Sequence, residues 1–132
     1  MRKKIETRIG NLQNLNFSTL LAAPTKPQGP LKVTDVTKNG AKVKWEKPED
    51  DGGKPITGYV LEKLDKATGR WMPVGKVPAD QLEMDVKGLS EGHEYNFRVK
   101  AVNEEGESEP LETDKSIVAK NPFGKDFTRL LF

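Results

Sequence analysis

The chain contains no cysteine. That removes thiol nucleophiles, thiolate metal centres and disulfide staples at once, and it tilts the expected compartment toward the cytosol. Histidine is scarce as well. His93 stands alone, so a zinc centre would have to draw its other ligands from carboxylates. No apolar run approaches the ~20 residues needed to cross a bilayer. The stretch Phe17–Ala23 is interrupted by Ser18 and Thr19, which makes it too short and too polar for a secretory signal. No Gly-x-x-x-x-Gly-Lys-Ser/Thr run is present to cradle phosphate. Ser18, Ser90, Ser108 and Ser116 have neither a base nearby in sequence nor a nucleophile-elbow context. No catalytic, cofactor-binding or metal-ligating residue is therefore assigned, and the chain reads as a non-enzyme.

Charge of one sign is also missing from the body of the chain. The formal balance is +2, but the excess sits at the ends. Residues 1–23 carry Arg2, Lys3, Lys4 and Arg8 against Glu6, and residues 125–132 carry Lys125 and Arg129 against Asp126. The stretch between is slightly acidic. It has no electrostatic footprint for nucleic acid or an anionic membrane, so neither is an expected partner.

What is present is a period of two. Tyr95-Asn96-Phe97-Arg98-Val99-Lys100-Ala101 alternates apolar and polar residues without exception, as a strand buried on one face requires. Leu89-Ser90-Glu91-Gly92 precedes it as a turn. A Tyr opening a strand just after such a turn reads as a tyrosine corner, its ring in the core and its hydroxyl bonded to the main chain across the turn. The same alternation recurs at Ala41-Val43-Trp45, at Tyr59 and Leu61, and at Leu82-Met84-Val86. Further strands are expected at Leu31–Val36 (with a register shift between Val33 and Val36), at Arg70–Val77 and at Leu111–Ala119. Asn39-Gly40 is expected to close a hairpin through positive φ. The fold class is all-β, a seven-stranded immunoglobulin-like sandwich of two antiparallel sheets, which needs about 100 residues. The domain is placed at 24–123. Residues 1–23 are read as a flexible flank or a remnant of expression, and 124–132 as a disordered tail.

Trp45, Pro55-Ile56-Thr57-Gly58-Tyr59, Leu89 and Tyr95-x-Phe97-Arg98-Val99-x-Ala101 together resemble the fibronectin type III domain. Two runs resemble the type III modules of giant muscle proteins of the titin, twitchin and projectin kind: Pro48–Tyr59, and Ala101-Val102-Asn103-x-x-Gly106-x-Ser108-x-Pro110. The exit Ala119-Lys120-Asn121-Pro122-Phe123 agrees, while Gly124-Lys125-Asp126 departs from that pattern. The resemblance marks Trp45, Tyr59, Leu89 and Tyr95 as structural hallmarks. It implies a cytoplasmic, sarcomeric, thick-filament-associated parent in which such modules are spacers and weak, multivalent docking units. The implied partners are neighbouring immunoglobulin and type III modules and myosin, with the isolated domain monomeric. The competing reading is an extracellular receptor or adhesion module. The only Asn-x-Ser/Thr sequon, Asn16-Phe17-Ser18, lies outside the domain and weighs against it.

Two features are candidates for an interaction surface. Asp50 and Asp51 in one loop, with Glu105 and Glu107 in another, should meet at one end of the sandwich as an acidic pole. The adjacent acids Glu49-Asp50-Asp51 do not have the spacing of a calcium loop and read as solvated. Trp71 is either an exposed aromatic offered for binding or a ring lying flat over the stem of Lys63 or Arg98.

Overall fold

The computed structural model describes residues 21–122. The rest of the expected flank and the expected tail lie outside them. Among the described residues nine strands follow in chain order: β1 Gln28–Thr34, β2 Ala41–Glu46, β3 Gly58–Asp65, β4 Arg70–Pro78, β5 Glu83–Val86, β6 Glu94–Asn103, β7 Gly106–Glu107, β8 Leu111–Glu112 and β9 Ile117–Val118. The spine is β6, where strict alternation buries Tyr95, Phe97, Val99, Ala101 and Asn103 and turns Asn96, Arg98, Lys100 and Val102 the other way. It pairs antiparallel with β3 from Asp65↔Tyr95 to Gly58↔Val102, and β3 pairs in turn with β4. Along its other side β6 takes β7, β8 and β9. The second sheet runs β1-β2-β5.

The core lies between the sheets. Val43, Trp45 and Val86 come from one, and Tyr59, Leu61, Tyr95, Phe97, Val99 and Ala101 from the other, all 3% exposed or less. Burying each large apolar side chain stabilises the fold by about 1.5–3 kcal/mol, which is how a chain without disulfides holds a sandwich together.

Four expectations are corrected. The last strand, expected to run unbroken from Leu111 to Ala119, is divided into β8 and β9, and β7 precedes it. Pro110 has no N–H for the ladder and separates β7 from β8. The exposed Asp114-Lys115 pair then bows away before β9, although Thr113 N–H still donates to Phe97 O at 3.0 Å. The register shift of β1 falls between Gln28 and Lys32, where Pro30 cannot donate, and not between Val33 and Val36. The β1–β2 turn forms where expected, but neither Asn39 nor Gly40 has positive φ. Asp35 does, at 50°, and Thr37 Oγ1 accepts from Asn39 N–H at 3.2 Å and Gly40 N–H at 3.0 Å. Gly40 serves another purpose, since a Cβ there would collide with Val86 O.

The fourth correction concerns the chain's approach to the sandwich. Leu21–Ala23, read from sequence as flank, lie against the β2–β3 loop. Ala22 N–H donates to Gly52 O at 2.9 Å, and Thr25 N–H to Asp50 O at 3.0 Å.

Candidate interaction surfaces

One pole of the sandwich is built by the β2–β3 loop and the β6–β7 turn, and Asn103 joins them. Asn103 is the one polar residue on the inward side of β6 and is 4% exposed. Burial of an amide is costly unless its hydrogen bonds are made, and here they are. Its Nδ2 donates to Asp51 O at 2.7 Å and to Ala22 O at 2.9 Å. Its Oδ1 accepts from Glu105 N–H at 2.7 Å and Gly106 N–H at 3.1 Å.

This arrangement brings the acidic loops together, but their carboxylates are not all turned outward. Asp50 Oδ1 accepts from Gly52 N–H, and Asp51 Oδ1 from Gly53 N–H, each at 2.8 Å. These side chains shape the loop in the manner of Asx turns. Lys54 Nζ lies 3.0 Å from Glu104 Oε1, and that hydrogen bond and charge raise the Lys54 pKa. Glu107 is drawn down the side of the sheet, 3.5 Å from Lys100 Nζ. Of the four predicted acids, Asp50, Asp51 and Glu105 share the pole, and Glu107 belongs to the neighbouring face.

That face is the outer surface of β4-β3-β6. The guanidinium of Arg98 sits 4.1 Å from the centroid of the Trp71 ring, while Lys63 lies over the Tyr95 ring instead, at 5.9 Å. Trp71 is thus half-buried under Arg98, a cation–π contact worth about 0.5–2 kcal/mol. Arg98 Nε donates to Glu62 Oε1 at 2.6 Å, directly across the strand pair. Lys100 Nζ approaches the same oxygen at 3.7 Å. The result is a row of alternating charge, with Trp71 at one end and Glu107 at the other.

The hallmark residues occupy the interior. Trp45 and Tyr59 meet at 5.5 Å between centroids, tilted by 55°, and burial raises the Tyr59 pKa. The Trp45 Nε1–H is buried and has no hydrogen-bond partner among the described residues. Leu89 is 3% exposed, and the Tyr95 hydroxyl accepts from Ser90 N–H at 2.8 Å. His93 Nδ1 lies 2.8 Å from Asp65 Oδ2. The histidine is the first cause of a lowered Asp65 pKa.

Two partnerships escaped the sequence reading. Asn103 was visible as a polar residue continuing the inward series Tyr95, Phe97, Val99 and Ala101, a placement that demands buried hydrogen bonds. Glu62 was visible on the outward side of its strand, but its pairing with Arg98 depends on cross-strand register that sequence does not display.

Two antiparallel sheets around one core, with a tyrosine closing the β5–β6 turn, define the class: an immunoglobulin-like sandwich. Residues 23–114 match the family model "Fibronectin type III domain", and the chain belongs to that family. It is 41% identical over 99 residues to Titin of Drosophila melanogaster, a match that covers 75% of this chain and rounds to 0% of that protein. It is 33% identical over 106 residues to cardiac-type Myosin-binding protein C of Mus musculus, covering 80% of this chain and 8% of that one. Among solved structures, domains A168–A170 of titin superpose with a TM-score of 0.69 at 33% identity, over 75% of this chain and 33% of theirs. The chain therefore spans only a small part of each of these relatives.

Proposed function

We propose that this chain is a non-enzymatic structural and protein-interaction module of a large intracellular, thick-filament-associated muscle protein, acting as a spacer and as a weak docking unit that works in series. The observation that carries the reading is the 41% identity to one stretch of a titin so long that the match is a negligible share of it. A domain of that kind is one bead among many. The similarity to a protein named for binding myosin supports myosin as the lateral partner. Neighbouring modules are the partners along the chain, and the isolated domain is monomeric. The Trp71–Arg98–Glu62–Lys100 face suits weak lateral contact. It offers one aromatic anchor and charges already paired within the module, so it carries little unsatisfied binding potential of its own.

Titrating isotope-labelled chain with myosin rods tests this. Fast-exchange shifts of the Trp71 indole N–H and of the Arg98 and Lys100 amides are expected, fading as salt is raised. Tight, salt-insensitive binding to an extracellular receptor fragment, with no response to rods, would favour the adhesion reading instead.

A further inference from the structure

We infer that Asn103 is a clip that fixes the direction in which the polypeptide enters the module, holding Leu21–Ala23 against the β2–β3 loop.

The argument begins with Asn103 Nδ2, which divides its two donors between the β2–β3 loop (Asp51 O, 2.7 Å) and the incoming chain (Ala22 O, 2.9 Å). One buried amide thereby ties three segments together: the arriving strand of chain, the β2–β3 loop and, through Oδ1, the β6–β7 turn. Ala22 N–H completes the attachment by donating to Gly52 O at 2.9 Å, so both polar groups of the Ala22 backbone are held. The loop is shaped to receive this segment. Gly52 is buried at φ 83°, and a Cβ on it would collide with Ala22 O. A Cβ on Gly53 would come within 2.7 Å of Leu21 Cδ2. Side chains are absent from the loop where the incoming backbone crosses it, as close backbone approach requires. Pro24 and Pro27, both buried, restrict the segment as it continues toward β1. A chain held at Leu21–Ala23 by these contacts cannot swivel freely about residue 24.

The test uses the full chain and reads hydrogen exchange and the heteronuclear NOE of individual amides. In the parent chain the Ala22 amide is expected to be protected, with NOE values at Leu21–Ala23 matching those of β6. Asn103→Asp keeps an acceptor for Glu105 and Gly106 but removes the donors to both Ala22 O and Asp51 O. It should lower Ala22 protection by about tenfold or more while the Phe97 and Val99 amides stay protected. Gly52→Ala, which leaves Asn103 intact, should release the same amide by collision. If the Asn103 variant loses the Phe97 and Val99 protection as well, the Gly52 variant decides. An unprotected Ala22 in the parent chain, or protection unchanged in a folded variant, overturns the clip. Neither result bears on myosin binding, so the clip and the docking role fail separately.

Discussion

Replacing Tyr95 by Phe deletes one oxygen and leaves everything else in place. The ring would keep its stack on Phe97 at 6.4 Å and on His93 at 6.3 Å, and at 2% exposure it leaves no room for water to stand in for the lost hydroxyl on the core side. What changes is Ser90 N–H, which loses its acceptor at 2.8 Å. A satisfied hydrogen bond contributes about 0.5–1.5 kcal/mol net, and a donor stranded in the interior costs about 1–3 kcal/mol. Ser90 is exposed as a residue, so solvent can reach part of the turn, and the expected cost is about 1–2 kcal/mol. For a domain of this size that lowers Tm by roughly 5–15 °C. Urea denaturation should show a reduced midpoint with an unchanged slope, and hydrogen exchange at Ser90 should quicken while β3 amides hold. A variant within about 0.3 kcal/mol of the parent, with Ser90 protection intact, would refute the claim that this bond fastens the β5–β6 turn.

Trp45→Ala should cost about 3–5 kcal/mol through lost burial and a cavity. Trp45→Phe should cost clearly less, because the indole N–H it deletes has no hydrogen-bond partner among the described residues; equal losses in denaturation would contradict that. The Asp65–His93 pair predicts an acid limb. The Asp65 pKa is lowered from its ordinary 3.8, so its contribution is complete above that value and is lost as pH falls through the lower folded value. Asp65→Asn should flatten the denaturation midpoint against pH below about 4, and an unchanged acid limb would exclude the pair as its source. Arg98→Lys keeps the charge but not the planar stack on Trp71, so it should alter Trp71 fluorescence at a stability cost of about 1 kcal/mol or less. Unaltered emission would show that the ring does not sense Arg98.

The fold could be read from sequence where one residue type had one available role. Tyr95 heading a perfect alternation after a Gly-bearing turn leaves few alternatives, and Ala41, Val43 and Trp45 face inward as a period of two requires. Errors arose where main-chain chemistry outweighs side-chain pattern. Pro30 falls at the register shift of β1, and the bend at Asp114-Lys115 broke the last strand into β8 and β9. At the β1–β2 turn, Thr37 Oγ1 supplied the acceptor that made positive φ at Asn39-Gly40 unnecessary. The surface was less accessible to such reading. Trp71 could be narrowed to two roles, yet choosing Arg98 over Lys63 needed the cross-strand register. Asp50 and Asp51 looked like a free acidic patch because their bonds to Gly52 and Gly53 are local backbone geometry that composition does not express. Asn103 carries the pole, but the acceptors of its Nδ2 are 52 and 81 residues away in sequence.

The most direct test of the module as a unit that works in series is its affinity for myosin rods as a function of copy number. Cosedimentation would compare one copy of the chain with tandem arrays of two, four and eight. One face of so small a domain buries little area, so the single copy should bind barely detectably. Each added copy raises effective concentration, and the array should gain about 10²–10⁴ in apparent affinity. A steep rise with copy number, weakened by salt, is the predicted result. Affinity that is already tight for one copy and flat thereafter, or absent even for eight, would contradict it.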